Sequence, residues 1–265
     1  MEVAAKHDAW QAGENYETYM GRWSSSVADK FIAWLNVSSG KDWLDIGCGT
    51  GALSRAILSE SNPNSVVGIE QSEGFVAHAR ALNSDARARF QVGNAEEIPL
   101  DDDAIDISTS ALVLNFVPDK LKAIREMRRV TRPGGIISFY VWDYPGGGVG
   151  FIDMFWKCAA ELDAGAADLD EGKRFPFCTS DGLKQIGEEG GLNDIEITSL
   201  EIDTIFPTFR DFLHPFTLGA GPAPGYFASL DDSQKEKLST LLANRLEQKE
   251  PINLTARAWG VKGQN

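Results

Sequence analysis

The stretch Lys41–Gly51, KDWLDIGCGTG, decides the fold of this 265-residue chain. Its first half is a short apolar run that predicts a buried β-strand. Its second half carries a glycine at every second position, Gly47, Gly49 and Gly51. Glycine lets a backbone turn tightly and approach a ligand without a Cβ in the way. A helical pattern begins at Ala52, so the stretch predicts a strand, a glycine turn and a helix N-terminus that offers unpaired N–H groups to an anionic ligand.

Two cofactor classes use such a turn, and the sequence around it matches both. The segment Gly47–Ala52 satisfies G-x-G-x-x-G/A, the pattern of dinucleotide-binding proteins. The longer string Asp45–Gly51, acidic-x-Gly-x-Gly-x-Gly, resembles motif I of the class I S-adenosylmethionine (SAM) methyltransferases. An acidic residue at a strand end beside three spaced glycines serves packing poorly, so a turn without a ligand is the weaker explanation. The candidate cofactor-binding residues here are Asp45, Gly47, Gly49 and Gly51.

A second strand is predicted at Ser65–Glu70, SVVGIE, which is apolar until its final carboxylate. Glu70 follows Gly51 by about 20 residues, the spacing at which an acidic residue binds ribose in dinucleotide-binding folds. One carboxylate can accept hydrogen bonds from two adjacent ribose hydroxyls. In open α/β sheets the C-terminal ends of the strands hold the ligand, which favours this role over that of a solvated loop acid. Glu70 and the adjacent Gln71 are therefore cofactor-binding candidates under either hypothesis.

Two later segments also resemble the methyltransferase family. Gly93–Leu100, GNAEEIPL, resembles the segment in which a polar side chain and the next backbone N–H recognise adenine. This resemblance implies those roles for Asn94 and Ala95, where the family most often has Asp in place of the Asn. Since Asn also favours turns, a purely local role for Asn94 stays open. Arg125–Gly135, REMRRVTRPGG, resembles the Arg-Pro-Gly-Gly turn after the fourth helix of many small-molecule methyltransferases.

The resemblance extends in order across Lys41–Val141. It implies that residues just beyond the fourth strand flank both the sulfonium end of the cofactor and the acceptor. Leu112 is the cofactor-binding candidate at that point, whereas Val113 is better explained as part of the core of a central strand.

The order of strands and helices predicts an α/β fold. The expected strands are 41–46, 65–70, 88–92, 104–114, 136–141, 193–201 and 253–261. Alternation of strand and helix favours a doubly wound, Rossmann-like sheet that is mostly parallel. The resemblance implies seven strands with an antiparallel edge strand and helices on both faces.

The domain organisation follows from the same patterns. Residues 1–40 are predicted to form an N-terminal helical cap, because apolar residues recur there at three- and four-residue steps. Residues 41–265 are predicted to form the class I methyltransferase domain. Insertions at about 143–180 and 203–230 are rich in aromatic residues. The resemblance makes them a lid over the acceptor pocket, which favours a small, partly apolar acceptor; packing in a second core is the alternative.

One segment of the cap, residues 16–24 (YETYMGRWS), groups aromatic and cationic side chains around a glycine. Segments like this lie over the cofactor in many SAM methyltransferases. By this resemblance, Tyr19 and Arg22 are candidates to reach the carboxylate of the cofactor, for which the guanidinium fork has suitable geometry. The alternative, in which Arg22 is exposed and the tyrosines pack in a core, stays equally open.

The candidate catalytic residues come from the aromatic insertions. Methyl transfer from a sulfonium is an in-line displacement, for which the protein holds acceptor and methyl carbon about 3–3.5 Å apart. A hydroxyl or ammonium acceptor is helped by a base. His214 is the only histidine in the insertions and an imidazole suits that role; Tyr144 and Asp143 are rivals. A surface or packing role is the competing explanation for His214, and a carboxylate or thiolate acceptor would need no base.

Composition argues against several classes of function. The formal net charge is −14, from 25 Lys and Arg against 39 Asp and Glu, which disfavours nonspecific binding to nucleic acid or an anionic membrane. The three cysteines lie far apart without C-x-x-C spacing, so neither a disulfide framework nor a zinc site is expected. The acidic run 101–103 is interpreted as a solvated turn rather than a metal site. The N-terminal residues lack the apolar region of a signal peptide, and no apolar run could span a bilayer, which favours a cytoplasmic protein.

These observations predict a SAM-dependent methyltransferase that acts on a small-molecule acceptor and uses no metal. An NAD(P)-dependent oxidoreductase is the first alternative. It shares the strand–glycine–helix unit, but the sequence has no Tyr-x-x-x-Lys pair and leaves Gly51 and Asn94 unexplained. The second alternative is a protein that binds SAM without catalysis. The sequence carries no signal for an oligomeric state.

Overall fold

The computed structural model of the chain describes residues 17–219, 221–247 and 249–265, so residues 1–16 of the predicted cap lie outside it. The chain divides into two compact units. The sheet unit comprises Ser24–Trp142, Phe177–Leu200 and Ala258–Asn265. The aromatic unit comprises the described residues up to Trp23 together with Asp143–Pro176 and Glu201–Arg257. The boundary at residue 40 and the lid role of the insertions stay predictions.

Within the described residues, seven strands form one sheet. They are β1 Asp42–Ile46, β2 Ser65–Glu70, β3 Ala88–Val92, β4 Ile105–Ala111, β5 Thr131–Trp142, β6 Asn193–Phe206 and β7 Ile252–Gln264. Their order across the sheet is β3-β2-β1-β4-β5-β7-β6. The pairs β1–β2, β1–β4, β2–β3 and β4–β5 are parallel, and β5–β7 is antiparallel. The predicted doubly wound, mostly parallel α/β sheet is confirmed, and its antiparallel strand β7 lies one position inside the edge strand β6.

Helices connect most of the strands. They are α1 Arg22–Leu35, α2 Ala52–Glu60, α3 Glu73–Leu82, α4 Lys120–Val130, α5 Gly150–Leu162, α6 Glu171–Arg174, α7 Ser180–Glu189, α8 Phe209–Leu213, α9 Pro222–Ser229 and α10 Asp232–Arg245. A π-helical turn, Glu17–Gly21, precedes α1. Polar N-caps satisfy otherwise unpaired N–H groups: Asp119 accepts from the Lys122 N–H at 2.8 Å. The cap of α7 is Thr179, which accepts from the Gly182 N–H at 3.1 Å.

The core of the sheet unit follows from burial of the central strands. In β1, the side chains of Trp43, Leu44 and Ile46 are all buried. A parallel strand covered by helices on both faces loses its exposed side, so it becomes a continuous apolar run rather than an alternating one. This explains why the sequence shows β1 as an apolar stretch.

The end of β4 differs from the sequence prediction. β4 ends at Ala111 rather than at Leu114. The next residue, Leu112, has a φ of 60°, and this left-handed conformation cannot continue a strand. A 3₁₀ turn at Leu114–Phe116 follows. The apolar run AIDISTSALVL therefore contains both a strand and the beginning of the connection to α4.

The start of β5 also differs from the prediction. The strand begins at Thr131 instead of Ile136, since Ile105 pairs with Thr131 and Ile107 pairs with Ile136. Residues 132–135, Arg-Pro-Gly-Gly, form the irregularity between these two pairs. This segment, expected as a turn after α4, is thus a bulge within the strand that follows the helix.

β6 and β7 extend beyond their predicted ranges. Residues 201–206 of β6 and 252–257 of β7 belong to the aromatic unit. From Leu200 to Phe206, buried and exposed residues alternate along β6, which is typical of a strand with one covered face.

The aromatic unit has a core of packed rings. Phe155 stacks on Phe216 with centroids 4.5 Å apart, and Phe151 contacts Phe206 edge-on at 5.8 Å. Several aromatics of the insertions therefore form a second core, as the alternative interpretation held. No helix among the residues described is long and apolar enough to span a bilayer.

Candidate functional site

The C-terminal ends of β1, β2 and β4 lie side by side at one edge of the sheet. The chain passes from β1 to β2 on one side and later returns to β4 on the other side of β1. Such a topological switch point is where ligands bind in open α/β sheets. The register places Ile46, the last residue of β1, beside Ile69 and Ser110. The glycine turn, residues 47–51, continues directly from Ile46.

The glycine turn takes a conformation that requires glycine. The φ angles of Gly47, Gly49 and Gly51 are 67°, 53° and 85°, all in the left-handed region that a Cβ disfavours. A Cβ added to Gly47 would lie 2.6 Å from both γ-carbons of Val113. Val113, the residue that follows Leu112, therefore packs directly against Gly47.

Cys48 fixes the turn to the core of the sheet unit. Its side chain is buried and packs in a cluster with Val76, Ala79 and Phe90. Burial raises the pKa of its thiol well above the usual range, so the thiol stays neutral. The backbone of the turn is held as well, because the N–H groups of Gly47 and Cys48 both donate to the Ile69 carbonyl, at 2.8 and 3.0 Å.

Gly49 borders open space. Within the described residues, and apart from Gly49 and its two chain neighbours, no heavy atom lies within 4 Å of the position that its Cβ would occupy. Gly49 thus has a left-handed backbone and an empty side-chain position at the switch point, and these two features form the cradle. A ligand can approach the backbone there, which is the role that motif I implies for this glycine.

Glu70 joins the end of β2 to the glycine turn. Its Oε2 accepts a hydrogen bond from the Gly49 N–H at 3.3 Å, and its Oε1 accepts one from the Ser72 N–H at 3.0 Å. The side chain is only half-buried. A carboxylate has about four lone-pair directions, so these two bonds leave capacity for ligand hydroxyls.

Asp45 is enclosed beneath the turn. Its side chain is 0% exposed, and Oδ2 accepts a hydrogen bond from the Ser54 hydroxyl at 2.6 Å. Burial raises its pKa to about 6. Oδ1 has no hydrogen-bond partner within the described part of the chain. Asp45 therefore links β1 to the first turns of α2 and positions the glycine turn; a direct ligand contact stays a prediction.

Asn94 and Ala95 follow the end of β3. The Asn94 Oδ1 accepts a hydrogen bond from the Glu96 N–H at 2.9 Å, which is the local turn chemistry considered as the alternative. The Asn94 side chain is exposed and Ala95 is buried. Because an amide oxygen can accept two hydrogen bonds, adenine recognition by Asn94 stays a prediction compatible with this turn.

Gln71 and Leu112 flank the same edge of the sheet. Gln71 is exposed next to Glu70. Leu112 is half-buried, and its N–H donates to the Tyr140 carbonyl at 2.8 Å. One unit of the structure thus contains the candidates from the glycine turn, the end of β2, the predicted adenine segment and the end of β4. They are Asp45, Gly47, Gly49, Gly51, Glu70, Gln71, Asn94, Ala95 and Leu112.

Tyr19 and Arg22 belong to the aromatic unit. Tyr19 is 2% exposed, and its ring contacts those of Phe151 and Phe216 at 6.2 and 5.7 Å. The Arg22 side chain is exposed, with its guanidinium 4.1 Å from the centroid of the Trp23 ring. This is the packing arrangement weighed as the alternative, and cofactor contacts by these two residues stay predictions.

The base candidates also lie in the aromatic unit. His214 is exposed at the start of a 3₁₀ turn, and Tyr144 is half-buried with its ring 6.1 Å from that of Phe175. Asp143 is buried and ion-paired, because its Oδ2 lies 2.6 Å from an Arg257 nitrogen. The carboxylate of Asp143 is thus part of a structural ion pair, while catalytic roles for His214 and Tyr144 stay predictions.

Two residues of the site were missed by sequence reasoning. Ser54 holds Asp45, and nothing in the pattern of α2 distinguishes this serine from a surface residue. Val113 was assigned to strand core, yet its side chain covers Gly47. The left-handed Leu112 that turns Val113 toward the glycines has no signature in the sequence, since leucine rarely adopts that conformation.

Comparison with known proteins agrees with this geometry. A family described as "Methyltransferase domain" matches residues 44–139, which include the glycine turn. The demethylmenaquinone methyltransferase of Halalkalibacterium halodurans is 36% identical over 177 residues, covering 62% of this chain and 72% of that protein. The malonyl-[acyl-carrier protein] O-methyltransferase of Serratia marcescens is 34% identical over 113 residues, so the chain spans 43% of that relative's length.

Solved structures show the same fold. A SAM-dependent methyltransferase from Thermotoga maritima has a TM-score of 0.54 at 16% identity, covering 100% of this chain and 99% of that one. Phosphoethanolamine N-methyltransferase 2 from Haemonchus contortus, solved with S-adenosylhomocysteine, has a TM-score of 0.57 at 18% identity, covering 94% and 56%. The chain belongs to the class I SAM-dependent methyltransferases. This membership overturns the NAD(P)-dependent oxidoreductase considered as an alternative from the glycine pattern alone.

Proposed function

We propose that this protein transfers a methyl group from SAM to a small-molecule acceptor. The observation that carries the proposal is the cradle at Gly49, where a left-handed glycine with an empty side-chain position lies within hydrogen-bond distance of Glu70.

The residues present fit SAM. Glu70 would accept the two ribose hydroxyls, Gly49 would let the ligand reach the backbone, and Asn94 with Ala95 would bind adenine. SAM supplies an electrophilic methyl group, whose bond to sulfur breaks as the bond to the acceptor forms. The protein's part is to hold the acceptor in line and to exclude water.

The acceptor class is drawn from the relatives' names. Two kinds of relative are named malonyl-[acyl-carrier protein] O-methyltransferase and demethylmenaquinone methyltransferase. We infer that the acceptor of this chain is likewise a small organic group. The proposal also includes localisation in the cytoplasm. It includes activity without nucleic-acid or membrane partners.

The test of cofactor binding is thermal unfolding with S-adenosylhomocysteine, NAD and NADP in parallel. A ligand at a hundred times its dissociation constant stabilises a protein by about 2.7 kcal/mol. For a chain of this size the midpoint is expected to rise by roughly 5–10 °C. A shift with S-adenosylhomocysteine alone supports the proposal, and a shift with only a nicotinamide cofactor contradicts it. Product formation from labelled SAM then separates an enzyme from a SAM-binding protein without catalysis.

Replacement of Glu70 by alanine is expected to weaken S-adenosylhomocysteine binding about tenfold or more, because hydrogen bonds to a charged group contribute roughly 1.5–3 kcal/mol. Isothermal titration calorimetry measures the change. The matched control is Glu73→Ala, which removes an exposed carboxylate three residues away and should leave the affinity within about twofold. Equal affinities for the two variants would remove Glu70 from the site.

A further inference from the structure

A row of polar side chains crosses the middle of the sheet just before the glycine turn. The register places Asp45 of β1 beside Thr109 of β4, and Thr109 beside Ser138 of β5. Side chains alternate between the two faces along each strand, so residues paired in this way share one face. All three side chains are 0% exposed. The centre of a parallel sheet is normally apolar, which makes this polar row, Asp45, Thr109 and Ser138, unusual.

Two neighbouring members of the polar row have a polar atom without a hydrogen-bond partner among the residues that the structure describes. These atoms are the Asp45 Oδ1 and the Thr109 Oγ1. The Ser138 hydroxyl next to them donates to the Ser108 carbonyl at the long distance of 3.5 Å. A buried polar atom without a partner is destabilising, and here two of them lie on adjacent strands.

The spacing of the strands suits one water molecule between these two oxygens. Neighbouring strands lie about 4.8 Å apart, and the side chains of Asp45 and Thr109 leave β1 and β4 on the same face. The two oxygens make no direct hydrogen bond. A water that bonds to both joins oxygens that are roughly 4.5–5.5 Å apart. Buried waters typically occupy such positions, where they bond to polar groups that the protein itself leaves unpaired.

The charges around Asp45 determine what such a water does. Burial raises the pKa of the Asp45 carboxyl to about 6, against the effect of the hydrogen bonds from Ser54. Of the charged groups that act on it, Glu70 of β2 raises this pKa further and Arg55 of α2 lowers it. The nearby Cys48 thiol is neutral. Near neutral pH the carboxylate is therefore mostly ionised inside the sheet unit, and only its Oδ2 is bonded to Ser54.

We propose that Thr109 holds a buried water against Asp45 and is thereby a positioning residue for the glycine turn. The inference rests on the proposed function. The water donates a hydrogen bond to the Asp45 Oδ1, and the Thr109 hydroxyl fixes its place and orientation. Hydrogen bonds to a carboxylate favour the ionised form. The ionised carboxylate in turn holds Ser54 in the first turn of α2, where a negative charge is favourable, and the glycine turn ends at that helix.

This arrangement couples cofactor affinity to the ionisation of Asp45. When Asp45 is protonated, its bond to Ser54 changes from charge-assisted to neutral and becomes weaker. The start of α2 and the glycine turn are then held less firmly, so cofactor affinity falls as pH drops through about 6. Loss of the Thr109 hydroxyl removes the water and raises the pKa of Asp45 further, so the same fall occurs at a higher pH.

The test compares Thr109→Val with Thr109→Ser in the full chain. Valine has nearly the shape of threonine but no hydroxyl, whereas serine keeps the hydroxyl. Calorimetry measures S-adenosylhomocysteine affinity between about pH 5.5 and 8.5. A hydrogen bond to a charged group corresponds to about one pKa unit. The midpoint of the profile should therefore rise by about one pH unit in Thr109→Val, with an affinity about threefold lower near pH 6.5. At the alkaline end Thr109→Val should match the wild type, and Thr109→Ser should match it throughout.

The matched control is Thr204→Val. Thr204 is a buried residue of β6 whose hydroxyl also lacks a partner in the described part of the chain, but it belongs to the aromatic unit. This variant measures the effect of losing an unpartnered buried hydroxyl by itself, so its pH profile should equal that of the wild type.

A crystal structure of the wild type provides a readout that does not depend on cofactor binding. It is expected to show one ordered water within about 3.2 Å of both the Asp45 Oδ1 and the Thr109 Oγ1. The same position should hold no water in Thr109→Val.

The two proposals fail in different ways. Failure of the wild type to bind S-adenosylhomocysteine at any pH overturns the proposed function, while the crystal structure still decides whether Thr109 holds a water. A dry gap or a direct Thr109–Asp45 hydrogen bond overturns the water. An unshifted pH profile in Thr109→Val, or an equal shift in Thr204→Val or Thr109→Ser, overturns the positioning role of the Thr109 hydroxyl.

Discussion

Replacement of Gly49 by asparagine is expected to leave the protein folded and to weaken S-adenosylhomocysteine binding by about 100-fold, the equivalent of about 2.7 kcal/mol. Asparagine tolerates the left-handed conformation better than other residues with a Cβ, so the turn can keep its φ of 53°. The new side chain would enter the space that is empty around Gly49 and exclude the ligand. A loss of this size lies within the cost of forcing extra atoms into a packed site.

The matched control is Gly40→Asn. Gly40 also has a positive φ, 75°, and, neighbours in sequence aside, no heavy atom of the described part of the chain lies within 4 Å of its Cβ position. It precedes β1 and therefore lies at the end of the strand away from the glycine turn. Both variants should have similar midpoints of thermal unfolding by circular dichroism, while only Gly49→Asn loses binding by calorimetry. Retained affinity in Gly49→Asn would show that the cradle does not hold the cofactor.

Replacement of Glu171 by glutamine is expected to stabilise the protein above pH 7 by about 3 kcal/mol. Glu171 is 2% exposed in the aromatic unit, and its Oε2 accepts a hydrogen bond from the Trp156 indole N–H. Burial raises its pKa from 4.5 to about 7. Glutamine keeps an oxygen for the indole and carries no charge, so the cost of burying a carboxylate disappears.

The direction of the pH dependence follows from the raised pKa. Between about pH 4.5 and 7 the folded protein holds a proton on Glu171 that the unfolded chain has released. The contribution of this group to stability is therefore present at low pH and is lost as pH rises through that window. Urea unfolding of wild type and Glu171→Gln at pH 5 and pH 8 measures the difference. It should be small at pH 5 and large at pH 8.

A control for surface charge is Glu236→Gln, at an exposed position of α10. Its free energy of unfolding should follow that of the wild type at both pH values, because substitutions at exposed positions usually change stability by less than about 0.5 kcal/mol. A Glu171→Gln variant that tracks the wild type in the same way would mean that the Glu171 carboxyl is not desolvated.

Local pattern was sufficient to predict the centre of the sheet. β1, the glycine turn and α2 are consecutive in sequence, and each depends on its own residues: an apolar run, left-handed glycines and a helical repeat. The ends of β4 and β5 could not be predicted in the same way. The left-handed Leu112 and the bulge at residues 132–135 are fixed by pairing with strands far away in the chain, and sequence preference opposes the first of them.

The residues of the candidate site were likewise predictable only in part. The motif positions Gly49 and Glu70 do converge, because the ends of parallel strands meet at one edge whatever the details of the sheet. The buried partner of Asp45 was not predictable, since Ser54 becomes its donor only when α2 packs on β1. Val113 resembles any core residue in the sequence, and only the structure shows that its side chain covers Gly47.

The attachment of Cys48 to the apolar cluster has a consequence for the energetics of cofactor binding. A loop that is ordered only by its ligand loses conformational entropy on association, and this loss subtracts from the affinity. Here a side chain between two glycines is already packed with Val76, Ala79 and Phe90, and the backbone is hydrogen-bonded to β2. The recognition surface is thus preorganised by the folding of the sheet, so the ordering entropy is lost once, when the chain folds, and not at each turnover.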